Sequence, residues 1–140
     1  MKYDFYVAGP FFNDDQLKSL KSVEAAAINF VQFQPRRDAG VLGDKPTQHD
    51  MLNVFMEDVK AIDDSKFVLA DLTYHDTGTS FELGYAFAKH IPVIIFCDET
   101  KGRKLNLMLA ASSLASFTKI EDLKIFLNIL KKSAFTGEIE

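Results

Sequence analysis

Short apolar runs alternate along the chain with amphipathic stretches, the pattern expected of parallel βα units. Tyr3 to Ala8 reads as a first buried strand, broken by Gly9-Pro10. Asn13 is a good N-cap, and Asp14 and Asp15 suit the positive first turn of the helix it opens. Leu17, Leu20, Val23, Ala27 and Phe30 recur at three- and four-residue spacing, so one face of that helix is core. Val31 to Gln34 predicts a short second strand stopped by Pro35, and Arg36 to Pro46, with Gly40 and Gly43, a loop. Thr47 can cap a second helix running to about Asp64, with Leu52, Phe55, Val59 and Ile62 inward.

Lys66 to Leu72 is the third strand, and its Phe67-Val68-Leu69-Ala70 is apolar on both faces, as a central parallel strand requires. The loop Thr73 to Thr79 feeds a helix from Ser80 to about Lys89. Pro92 to Cys97 is a fourth strand, followed by a polar loop, Asp98 to Lys104, and a short helix around Asn106 to Ala111. Leu114 to Thr118 is a weaker fifth strand, and Glu121 to Lys131 closes the pattern as an amphipathic helix. No repeat, low-complexity segment or linker interrupts it, so residues 1–140 read as one domain. The predicted fold is α/β, a flavodoxin-like open sheet of five parallel strands flanked by helices. Ligands then belong beyond the C-terminal strand ends, near the switch point. Three segments should meet at that rim: Tyr6 to Phe12, Tyr74 to Glu82, and Asp98 to Met108.

Composition narrows the function. At 140 residues and 47% hydrophobic, the chain has apolar material for one core. Its longest apolar runs, such as Val93 to Phe96, fall far short of the roughly 20 residues that cross a bilayer. No signal-peptide pattern opens it, and a lone Cys97 fits a reducing compartment, so a cytoplasmic location is expected. With a net charge of −4 and no basic cluster beyond Lys131-Lys132, neither nucleic acid nor a membrane is the expected partner. His49, His75 and His90 are scattered, and no metal site or cofactor is expected. A small-molecule substrate is the default.

The densest chemistry lies between Asp71 and Tyr85. Gly78 permits a tight turn, and Glu82 falls at the start of the predicted helix, whose positive end should keep a carboxylate ionised. An ionised, positioned carboxylate can capture an oxocarbenium-like anomeric carbon covalently. Asp76, six positions earlier, could exchange a proton with a ring nitrogen of a leaving base. The same residues allow a purely structural reading: Thr79-Ser80-Phe81-Glu82 matches a capping box, with Glu82 bonded back to the Thr79 amide, and Asp76 suits a turn. Spacing leaves both open.

Three segments together resemble the nucleoside 2-deoxyribosyltransferase family. They are Tyr6-Val7-Ala8-Gly9-Pro10-Phe11-Phe12, Asp76-Thr77-Gly78-Thr79-Ser80-Phe81-Glu82-Leu83-Gly84-Tyr85-Ala86, and Leu105-Asn106-Leu107-Met108. The resemblance spans nearly the whole chain, in order and with compatible spacing. It implies that Glu82 is the nucleophile forming a deoxyribosyl-enzyme ester, that Tyr6 orients it, and that Asp76 binds and protonates the base. It implies further that Asp58 holds the sugar hydroxyls, that Phe11 stacks on the base, and that Gly9 belongs to the same substrate surface. Asn106 and Met108 would close the sugar pocket of a neighbouring protomer, which makes a homo-oligomer with shared sites the implied assembly. The implied partners are deoxynucleosides and free nucleobases. The segment after the second strand has no counterpart to the amide some members use to read the base; Arg37 and Asp38 are candidates instead.

The leading expectation is retaining ping-pong transfer of 2-deoxyribose between bases through Glu82. A related hydrolase, similar to the deoxynucleoside 5′-monophosphate N-glycosidases, would give the sugar to water. A receiver-type signalling domain is a third reading, from Asp71 and Lys119, although Ala8-Gly9-Pro10 offers no acidic pair for Mg²⁺.

Overall fold

A computed structural model describes residues 1–40 and 42–133 of the chain. Five parallel strands form one sheet in the order β2-β1-β3-β4-β5. They are β1 (Tyr3–Ala8), β2 (Gln32–Phe33), β3 (Ser65–Asp71), β4 (Val93–Phe96) and β5 (Ala115–Phe117). The helices are α1 (Asp14–Ala26), α2 (Pro35–Asp38), α3 (Gln48–Asp63), α4 (Thr77–Ala88), α5 (Leu107–Ser112) and α6 (Ile120–Ser133). The α/β open sheet is the one the apolar pattern predicts.

Alternation along the strands divides the core into two layers. Phe5 and Val7 of β1, Leu69 of β3, and Ile94 and Phe96 of β4 pack with Leu20 and Val23 of α1 and Leu123 and Leu127 of α6. Their neighbours Tyr6, Ala8, Val68, Ala70, Val93 and Ile95 face the other way, onto Ala61 and Ile62 of α3 and Leu83 and Ala86 of α4. Strand period two therefore sends Tyr6 to the α3–α4 side.

Local chemistry sets the helix ends. Asn13 accepts from the Gln16 amide at 2.9 Å, as expected of an N-cap. Thr47 and Asp50 form a reciprocal capping box at 3.0 Å in each direction. Three predicted features differ. The segment after β2 is not wholly loop: Pro35 stands at the first position of α2, where its missing N–H is no loss. α4 begins at Thr77, three residues before the predicted start, because Asp76 rather than Thr79 caps it. On α3, Leu52 and Phe55 are not inward: both are about half-exposed, and only the C-terminal end, Ala61 and Ile62, reaches the core.

β1 lies between β2 and β3, so the crossover to β2 and the one back to β3 run in opposite directions, and a crevice opens beyond the C-terminal end of β1. Gly9 makes the crossing possible there. A Cβ at this position would lie 2.9 Å from Leu20 Cδ1 and 3.2 Å from Asp71 Cβ.

Candidate active site

At that crevice a cavity of about 490 Å³ is bounded by the β1–α1 turn, α2 with the segment after it, α3, and the start of α4. Its walls include Gly9, Phe11 and Phe12, then Pro35, Gly40 and Leu42, then Val54, Phe55, Asp58 and Val59. Asp76, Gly78, Phe81 and Glu82 complete it. The lining is apolar except for three carboxylates, and no Lys or Arg is among these residues.

Tyr6 and Glu82 meet across 76 positions of sequence. The Tyr6 hydroxyl donates a hydrogen bond to Glu82 Oε2. Tyr6 is held by the core, with no exposed surface and its ring stacked on Phe33 at 5.6 Å. Glu82 is thus oriented from the rigid sheet and not by its own helix. The capping-box alternative does not occur: the Thr79 amide is bonded by Asp76 Oδ2 at 2.9 Å, and the Thr79 hydroxyl by the same oxygen at 2.7 Å.

The expectation that a helix end keeps Glu82 ionised is overturned. With α4 starting at Thr77, Glu82 sits in the second turn, where the dipole's influence has faded. Burial dominates and pushes its pKa up to about 8; the Tyr6 hydrogen bond opposes this, while the charges of Asp58 and Asp76 add to it. Asp58 is raised to about 6, first by burial and then by Glu57. Its Oδ1 is buried and takes no hydrogen bond among the described residues. Tyr6 itself is raised well above the ordinary phenol range by burial and by Glu82, so it remains a donor. Burial thus favours a protonated Glu82, and Asp58 has an acceptor oxygen to spare.

Tyr6, Gly9, Phe11, Asp58, Asp76 and Glu82 are therefore brought together, five of them on the cavity wall and Tyr6 behind Glu82. Asn106 and Met108 are not part of that wall. Asn106 Oδ1 caps α5, accepting from the Met108 amide at 2.8 Å and the Leu109 amide at 3.3 Å. Leu107 and Met108 point to solvent, 77% and 76% exposed. Of the three segments expected at one rim, only two line the cavity; Asp98 to Lys101 instead edge a second cavity of about 480 Å³ beside α1 and α6.

Arg37 and Asp38 do not reach the cavity, contrary to the sequence reading. Arg37 forms a two-point pair with Asp38 at 2.8 Å and also donates to the Gln32 carbonyl at 2.9 Å. Arg36 is likewise taken by Glu24 of α1. That side of the crevice is walled by Pro35, Gly40 and Leu42. Pro35 and Gly40 belong to the segment the sequence reading singled out for the base, but it missed Leu42, Val54, Phe55 and Phe81. The spacing of Phe55 three residues before Asp58 could have put it on the same wall, but its apolar character read as core.

The receiver-type reading finds no support in the placement of its two residues. Asp71 is 2% exposed and accepts from the Thr73 amide at 3.1 Å, while Lys119 lies 3.9 Å from Glu99 on the rim of the second cavity. No group of three His, Cys, Asp or Glu among the described residues is placed to hold a metal ion. No described helix is long and apolar enough to cross a membrane.

Comparisons with known proteins agree with this geometry. No curated protein sequence matches the chain. A solved 2-deoxyribosyltransferase from the psychrotolerant bacterium Bacillus psychrosaccharolyticus superposes with a TM-score of 0.76 at 29% identity, covering 86% of this chain and 89% of that one. A conserved protein from Enterococcus faecalis V583 superposes with a TM-score of 0.69 at 19% identity, over 90% and 97% of the two chains, and shares the fold. The sequence profile described as nucleoside 2-deoxyribosyltransferase matches residues 5–123, so the chain belongs to the nucleoside 2-deoxyribosyltransferase family and is an enzyme of that family.

Proposed function

We propose that the chain transfers 2-deoxyribose between nucleobases in two inverting steps, with Glu82 carrying the sugar in between. The observation that carries this reading is the Tyr6–Glu82 hydrogen bond, which aims a carboxylate into a cavity it shares with Asp58 and Asp76. In the first step Glu82 attacks the anomeric carbon as the bond to the base breaks, and Asp76 gives the departing ring nitrogen its proton. In the second, a new base attacks from the face the first one left, so configuration is retained.

The proton count of the cluster suits this. Burial favours the protonated form of Glu82 at rest. Passing one proton to the departing base by way of Asp76 leaves Glu82 ionised under the Tyr6 hydroxyl as it attacks. The buried, unpartnered Oδ1 of Asp58 is an acceptor for a sugar hydroxyl, whose donation would complete a group otherwise costly to bury. Phe11 offers a base its flat face. The substrate is an unphosphorylated deoxynucleoside: a 5′-phosphate would meet three carboxylates and no cation on this wall.

Leu107, Met108 and the Asn106 cap project away from their own cavity, which favours a site completed by a second copy of the chain. No step calls for a cofactor, and free nucleobases and deoxynucleosides are the partners.

A deoxynucleoside mixed with a second free base and read by chromatography tests the reading. Transfer yields a new nucleoside, whereas the hydrolase alternative yields only free base and free sugar. Glu82→Ala should lower exchange by at least about 10³-fold with the fold intact by circular dichroism, in the range typical of losing a nucleophile. Near-normal exchange in that variant would overturn the assignment.

A further inference from the structure

Two side chains on the cavity wall have no part in the chemistry above. Phe55 stands three residues before Asp58 on α3, and Phe81 directly precedes Glu82 on α4; their ring centroids are 5.9 Å apart. They are 47% and 53% exposed, yet both line the cavity. The aromatic surface continues from Phe81 onto Tyr85, whose ring lies 6.4 Å away and nearly parallel. A second pair, Phe11 and Phe12 at 5.0 Å, belongs to the β1–α1 turn of the same cavity. Phe55 and Phe81 thus share the cavity wall with both the carboxylate read as the nucleophile and the one read as the sugar acceptor.

We propose that the Phe55–Phe81 pair is the water-excluding wall over the sugar-bearing Glu82, and that it sets how the covalent intermediate divides between transfer and hydrolysis. The inference rests on Glu82 being the nucleophile. In transfer, a ring nitrogen of the incoming base attacks the anomeric carbon, the bond from that carbon to Glu82 breaks, and Glu82 leaves with the electron pair. The nitrogen's proton passes to Asp76, which was left ionised by the first step. In hydrolysis the oxygen of water makes the same attack, one of its protons goes to Asp76, and the products are free deoxyribose and the Glu82 carboxylate. A water molecule against two aromatic rings lacks hydrogen-bond partners on that side, whereas a flat base gains stacking area from aromatic walls. The wall therefore penalises one nucleophile and not the other.

The test measures two products from one reaction at fixed acceptor base: new nucleoside, and free deoxyribose. Phe55→Ala and Phe81→Ala should each raise the fraction of sugar released as deoxyribose by roughly tenfold, equivalent to about 1.4 kcal/mol of lost discrimination. Phe55→Leu and Phe81→Leu, which keep apolar bulk but lose the flat ring, should raise it by less than the alanine variants do. Both rings are half-exposed, so their removal opens no core cavity. A merely structural defect would lower both products together and leave the fraction unmoved. An unchanged or smaller hydrolytic fraction in the alanine variants would overturn the proposal. Absence of any exchange in the parent protein is a separate result, which would overturn the transfer reading itself.

Discussion

Glu82 shows how one residue's neighbours decide its chemistry. A glutamate ordinarily titrates near 4.5; in the fold burial raises this one to about 8. The folded state therefore holds a proton that the unfolded chain has already released across the interval between those values. Stability linked to that proton is fully present below about pH 4.5 and is lost as pH rises through about 8. Glutamine keeps an oxygen to accept from Tyr6 and does not titrate. The melting temperature of Glu82→Gln minus that of the parent should accordingly grow between pH 5 and pH 8 and level off above, in thermal melts at matched ionic strength. A gap independent of pH would mean that Glu82 is not the buried proton holder. The residues Tyr6, Asp58, Asp76 and Glu82 were all legible in the sequence, through the resemblance of their segments. Their states were not. Asp76 and Thr79 are both good caps three positions apart, and only the fold decides that Asp76 starts the helix and so moves Glu82 out of the first turn.

Elements whose ends are written in local chemistry were legible almost to the residue. Thr47 and Asp50 fix the start of α3, and the unbroken apolar run fixes β3. α3's interior was not, because Leu52 and Phe55 occupy helical spacing suited to a core while the wall they face is a cavity and solvent. α2 escaped notice because a single turn begun by Pro35 carries no periodicity to detect. The end of α4 supplies a prediction at this scale. The His90 amide bonds the Phe87 carbonyl at 3.0 Å and the Ile91 amide the Ala86 carbonyl at 2.9 Å, the paired bonds of a Schellman motif. That motif places His90 at φ 61°, a left-handed conformation costly for a side chain with a Cβ. His90→Gly should relieve this strain, and part of the gain is offset by the greater freedom glycine gives the unfolded chain. The expected net gain is roughly 0.5–1 kcal/mol. It is read as a higher urea midpoint at unchanged slope; a lower midpoint would show that His90 makes contacts worth more than its strain.

At the scale of the molecule, a feature the single chain leaves largely unused is the 106–108 turn, beyond Leu105, which packs on the core. Asn106 spends its carbonyl oxygen on the α5 cap, and Leu107 and Met108 lie in solvent as an adjacent apolar pair that another surface could cover. The face of α3 bearing Met51, Leu52 and Met56 is exposed as well. An assembly of like chains would cover such surfaces, and would let one chain's α5 cap reach another's cavity. Complementation can decide this without knowing the number of subunits. Glu82→Ala removes the nucleophile from a chain's own cavity. Asn106→Asp keeps an oxygen for the α5 cap but removes the amide donor offered outward. If sites are shared, each pure variant is defective at every site. Once subunits are unfolded together and refolded as a mixture, some cavities combine an intact Glu82 with an intact Asn106 from the neighbour. Base exchange in the mixture should then exceed that of either variant alone, and chains mixed without refolding should show the gain only as fast as subunits exchange. Activity no higher than the better parent would place each cavity within one chain, and Leu107 and Met108 would need a different cover.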